Sequence, residues 1–189
     1  MNNPVPACRT IEVIAFGGNR SRAFVSTVLR ALGDERHGRG TGPTPLDCLL
    51  LTGHAGVSVD DGATALGFNP DRGSLPLWRL MDGLRNGDAF PGAVRDDSAV
   101  FSAARKRGLF VRSFEVILPE PRLLELLRRL DEERNNSQYS YGFPNGNGDC
   151  NCVTWLERLG LPLLTGRVDE FLGLSGVAAS LRRRFGDCI

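Results

Sequence analysis

Lysine is almost missing from this chain. Of 23 basic residues only Lys106 is not arginine, a coding bias that by itself marks no site. Net charge is scarce as well: 23 basic residues stand against 22 acidic ones, leaving +1 and no basic field for nucleic acid or an anionic bilayer. No apolar run approaches the ~20 residues that span a hydrocarbon core. The start, MNNPVPACRTIEVIAF, has no basic leader ahead of a long apolar stretch. A chain without a membrane span is therefore expected in the cytoplasm, with export by a signal-independent route left open. The five cysteines (Cys8, Cys48, Cys150, Cys152 and Cys188) are odd in number and irregularly spaced, which argues against a disulfide framework. Cys150 and Cys152 form a C-x-C without the further ligands that a structural zinc site needs, so neither metal nor cofactor is expected. Histidine is nearly as rare as lysine, with His37 and His54 alone.

What is present suits one globular domain over residues 1–189, at 41% hydrophobic and 24% charged residues. TIEVIAFG (10–17) reads as a strand, and AFVSTVLRALG, with apolar residues at helical spacing, as a helix. GDERHGRGTGPTP (33–45) reads as a loop. LDCLLLTGHAGVSV suggests a strand bent at Gly53, and 54–68 a β-hairpin. Proline and glycine punctuate 70–98 around one short amphipathic piece near Leu77 to Leu84. A helix over 97–107, a strand over 110–118 and a long helix in PEPRLLELLRRLDEERNN follow. The last residues, 161–189, read as one or two helices. Mixed elements without regular βα alternation make an α+β pattern.

The chemistry concentrates where NGNGDCNC runs into CVTWLERLGL. With Asn151 as N-cap, Cys152 occupies the first helical position, where free N–H groups favour a thiolate and can face an oxyanion. A buried structural thiol is the competing reading. His54, between Gly53 and Gly56, is the candidate base; His37 sits in a charged loop and is a poor one. A third group should orient the imidazole, and Asn69 on the paired strand is preferred over Asp71 and Thr64. Tyr139, Tyr141 and Asn151 are candidate substrate-binding residues beside the nucleophile.

His54 in GHAGVSV, then GFNPD, then Y-x-Y and Asn151-Cys152 opening a late helix, together resemble the circularly permuted papain-like superfamily. That group includes the lecithin:retinol acyltransferase-like proteins and bacterial relatives of the NlpC-type peptidases. The resemblance covers roughly residues 46–160 and implies a small antiparallel sheet packed on helices, Cys152 as nucleophile and His54 as base. Where many relatives carry a second histidine, this chain has Leu66, Gly67 and Phe68, with Asn69 just beyond. The function expected from this is cleavage of a peptide, isopeptide or peptidoglycan-type amide through an acyl-enzyme on Cys152. The alternatives are a thiol acyltransferase or lipid esterase, and a non-catalytic papain-like module binding a peptide. The expected partner is a peptide or an acyl-bearing substrate, and the oligomeric state is open.

Overall fold

The computed structural model describes residues 8–60, 63–142 and 147–161. Six strands lie there: β1 (Cys8–Gly17), β2 (Gly53–Ser58), β3 (Leu66–Pro70), β4 (Phe90–Asp96), β5 (Val111–Pro119) and β6 (Ser140–Tyr141). They form an antiparallel sheet in the order β5-β1-β2-β3-β4-β6. Six helices accompany it: α1 (Arg22–Arg36), α2 (Pro45–Thr52), α3 (Leu77–Asn86), α4 (Ser98–Lys106), α5 (Glu120–Asn136) and α6 (Cys152–Arg158). The fold is α+β. No helix among the described residues is long and apolar enough to cross a membrane. The terminal helices expected over 161–189 lie, beyond Leu161, outside the described residues.

Alternation along β1 explains why the sheet is covered on both sides. Ile11, Val13 and Ala15 join one apolar cluster, with α6 and the inner residues of α3 and α5. Ile14 and Phe16 join another, with Leu50 of α2 and Phe101 of α4. β2 lies between them, buried at five of its six residues. On the α6 side Trp155 stacks on Phe68 of β3, with ring centroids 5.9 Å apart, and both are fully buried. Truncating such an aromatic costs about 3–5 kcal/mol, so this contact anchors a helix of only seven residues.

Three elements differ from the sequence expectation. The apolar run before Gly53 is the helix α2, not a strand. Thr44 and Asp47 form a capping box and Pro45 takes the first turn, signals that outweigh an apolar run of ambiguous period. Residues 33–36 continue α1 instead of opening a loop, because Glu35 is drawn into structure: its carboxylate accepts from the amides of Leu77 (3.2 Å) and Trp78 (3.0 Å). That carboxylate caps α3, whose own Pro76 cannot. The third is β4, in the stretch expected to be punctuated by Pro and Gly. Gly92 belongs there because a Cβ would collide with the Phe68 ring.

Candidate functional site

His54 stands at the start of β2, where Gly53, at φ 85°, turns the chain out of α2 in a conformation that disfavours side chains. Its ring is completely buried between Phe16 and Phe101, with centroids 6.5 and 5.8 Å away. Nε2 donates to Asp97 Oδ2 at 2.8 Å. A carboxylate only accepts, which places a proton on Nε2. The same oxygen accepts from Asn69 Nδ2 at 2.7 Å, and that nitrogen also reaches Gly67 O at 3.2 Å. Asn69 thus orients the carboxylate and leaves the imidazole to Asp97, which corrects its expected place as the ring's partner.

Asp97 is the residue that sequence reasoning missed. It is the N-cap of α4, yet its side chain makes no cap hydrogen bond. Asp96 does that work, with Oδ1 accepting from Ser98 N at 2.9 Å and from Ser98 Oγ. Two adjacent acids ahead of a helix that needs only one were the available signal. The Asp97 amide donates to Ala65 O at 2.7 Å, and Ser98 Oγ accepts from Ala65 N at 2.9 Å, tying the start of α4 to the approach to β3. Gly67 makes the meeting possible. A Cβ there would stand 2.5 Å from His54 Nε2 and closer still to Asp97 Oδ2.

Cys152 is the first residue of α6, as its sequence predicts, and is 8% exposed. Asn151 Oδ1 accepts from Val153 N (2.8 Å) and Thr154 N (3.0 Å), and Thr154 Oγ1 accepts from the Asn151 amide at 2.9 Å. Asn151 is therefore engaged first as a helix cap. The preceding loop is pinned by Asp149 Oδ2, which accepts from Ser140 N and Oγ at 2.9 and 2.8 Å. Gly142 and Gly148 touch backbone to backbone: a Cβ on Gly142 would fall 2.7 Å from the Gly148 backbone, which accounts for glycine at these two positions.

The Cys152 sulfur faces both His54 and Tyr141. Nδ1 of His54 is buried with no hydrogen-bond partner. Burial opposes charge on the imidazole, but the hydrogen bond to Asp97 and the Cys152 sulfur outweigh it and raise the ring to about 10. Burial, then the Cys152 sulfur, pushes Tyr141 well above the usual phenol range. Burial also pushes the Cys48 thiol up to about 11 and Cys150 to about 12, leaving both protonated at neutral pH. Tyr141 is buried against Phe68, whereas Tyr139 lies under the Arg158 guanidinium, 4.5 Å from its ring centroid. The structure thus brings Cys152, His54, Tyr141 and Asn69 together with Asp97, and leaves Tyr139 beside them.

A cavity of about 240 Å³ abuts this cluster. Leu46 and Leu49 of α2 and Leu80 and Leu84 of α3 wall it; Asn69, Asp97 and Tyr141 also line it. Among the described residues no group of three or more His, Cys, Asp or Glu side chains suits a metal ion. Comparison with known proteins finds no family model, no curated protein and no solved structure that matches the chain.

Proposed function

We propose that the chain is a cysteine-dependent hydrolase of permuted papain-like architecture, with Cys152 as nucleophile, His54 as acid and base, and Asp97 as the group that orients the ring. One observation carries this reading: a buried imidazole stands between a sulfur and a carboxylate that come from segments far apart in sequence. Nothing in packing alone requires these three groups to meet, and burying them without compensation would be costly. An imidazole beside a thiol is the pairing that a cysteine nucleophile requires.

In the first half-reaction the thiolate attacks the carbonyl carbon and an S–C bond forms. The oxyanion is met by the Cys152 amide and the Tyr141 hydroxyl. The bond to the leaving nitrogen breaks as His54 passes its proton to it. Water then attacks the thioester, giving a proton to His54; the C–S bond breaks and the acid leaves. Asp97 steadies the imidazolium throughout, and Asn69 steadies Asp97. A reducing compartment such as the cytoplasm suits this chemistry. The substrate class favoured is an amide, since no described element resembles an apolar lid for a lipid surface.

Peptide-resolved mass spectrometry after iodoacetamide treatment at neutral pH tests the assignment. The adduct is expected on Cys152 and not on Cys48 or Cys150. Replacing His54 with Ala should slow it severely, while equal labelling of Cys152 in that variant would remove the pair. Cys152→Ala should abolish turnover of any amide substrate found.

A further inference from the structure

The cavity between α2 and α3 takes no part in the steps above, and neither Cys152 nor His54 lines it. Its polar lining includes Asn69 and Asp97. Asp97 gives Oδ2 to both His54 and Asn69. Its Oδ1 has no hydrogen-bond partner among the described residues, although Asp97 is only 4% exposed. Asn69 Oδ1 is buried without a partner as well. Both unsatisfied atoms are acceptors, so what completes them is a donor. We infer that the cavity is an effector site for a small neutral aliphatic molecule whose O–H or N–H group donates to Asp97 Oδ1. Its carbon body lies on Leu46, Leu49, Leu80 and Leu84. Binding there does not depend on the hydrolase reading, because the thiol and the imidazole are both outside the space.

Size and charge narrow the ligand further. At about 240 Å³, and about 30 Å³ per water-sized group, the space holds roughly eight heavy atoms. Arg95 is paired with Asp71 Oδ1 at 2.8 Å, whereas Arg72 donates to a neutral carbonyl, Leu75 O, also at 2.8 Å. The Asp97 charge is already matched by a ring that is protonated at neutral pH. An ammonium would therefore stand as a further cation beside Arg72 and the imidazolium, and a carboxylate would face Asp97. A neutral donor meets neither obstacle. Cys48, which also lines the space, behaves as a small apolar side chain while its thiol stays protonated. The ligand would touch both supports of the site. Thr52, on the cavity wall, ends α2 one residue before the Gly53 turn into His54, and Asp97 opens α4. A donor on Oδ1 draws charge from the carboxylate that holds the ring, which couples the cavity to the thiol without contact between them.

The experiment titrates the protein with cycloheptanol, cycloheptanone and cycloheptylamine, rings of one size that differ in the head group, by calorimetry and thermal shift. Cycloheptanol is expected to bind at one saturable site and to raise the thermal midpoint. The ketone cannot donate and should bind about tenfold or more weakly, with the amine no tighter than the alcohol. Met81→Trp, at a half-buried position on the cavity wall, should abolish binding and leave the Cys152 alkylation rate without ligand unchanged. Leu49→Phe, half-buried on the facing helix, provides a second and milder block. With cycloheptanol saturating, iodoacetamide should still label Cys152 to completion, at a rate lower by about tenfold. No saturable binding, equal affinity for the ketone, or tightest binding of the amine would overturn the donor site. Full protection of Cys152 would overturn it too, since the ligand would then sit in the cleft of the thiol. Binding with an unchanged labelling rate would remove the effector role. Failure of Cys152 to label even without ligand would remove the hydrolase and leave the binding result standing.

Discussion

Two polar networks in this protein differ in almost every physical respect. His54, Asp97 and Asn69 are buried and lie 43 and 28 residues apart in sequence. Glu125, Arg128, Arg129 and Glu132 are exposed on one helix, joined at spacings of three and four. The second follows from helical geometry and is screened by water. The first exists only if strands and helices bring it together, and each of its members left alone would be a buried polar group without compensation. Local pairing decorates a helix, whereas non-local pairing records a constraint that the whole fold satisfies.

Breaking the buried network at Asp97 should have the largest effect. Asp97→Asn keeps the volume and removes the charge. Burial then dominates at His54, and the ring should fall below its ordinary value instead of standing near 10. The rate of Cys152 alkylation, and of turnover, is expected to drop by about 10³–10⁴-fold. Stability should fall by about 3 kcal/mol in denaturant unfolding. A variant with wild-type rates would show that the carboxylate only fills space.

Gly67→Ala attacks the same pair without replacing either partner. The added methyl would wedge between His54 Nε2 and Asp97 Oδ2, so one of them must move. A displacement of about 1 Å is enough to cost roughly 100-fold in rate, and the overpacking about 1–3 kcal/mol. Gly33 inside α1 is the matched control, since a Cβ there meets nothing within 4 Å. Gly33→Ala should leave rates unchanged and raise stability slightly, by about 0.5–1 kcal/mol. Equal behaviour of the two variants would deny Gly67 its role.

The same contrast explains what was legible beforehand. α5 and the start of α6 were readable because helix signals are local: Leu123, Leu126 and Leu130 bury one stripe, and Asn151 caps where a cap belongs. The β2–β3 hairpin was readable through its turn. α2 was not, because an unbroken apolar run has no period and only its capping box separates helix from strand. β4 was hidden by Pro91 and Gly92, which its pairing with β3 and β6 tolerates. Within the site, Cys152 and His54 stood out as residue types in suggestive places. Asp97 did not, because which acid meets an imidazole 43 residues away is decided by the sheet and the seat of α4. Asn69 was found as a neighbour of the site, one hydrogen bond removed from the ring.

A pH titration sharpens the comparison at a smaller cost to the molecule. The folded ring stands near 10, above its ordinary value of 6.5. The pair's contribution to stability is therefore complete below about pH 6.5, and is lost as pH rises through about 10. A ring that acts as acid gives turnover an alkaline limb in the same region. Unfolding free energy and kcat/KM, measured from neutral to alkaline pH, should decline together. In Asp97→Asn the limb should shift to lower pH. A limb that stays put in that variant would assign it to another group.

The exposed network should answer with almost nothing. Arg128 holds both Glu125 and Glu132, and Arg129 adds a third bond to Glu125 at 2.8 Å, a denser set of ion pairs than the site contains. Density is not strength here, because each group can exchange its partner for water and salt screens what remains. Arg128→Ala, with alanine also the better helix former, is expected to leave the thermal midpoint and the Cys152 alkylation rate unchanged at physiological salt. At low salt a small loss of stability should emerge and vanish on adding sodium chloride. A large, salt-insensitive loss would mean that this surface is coupled to the core through the Arg129 bond to Arg158 O, 3.0 Å long at the end of α6. The line drawn between local and non-local pairing would then run through α6 itself.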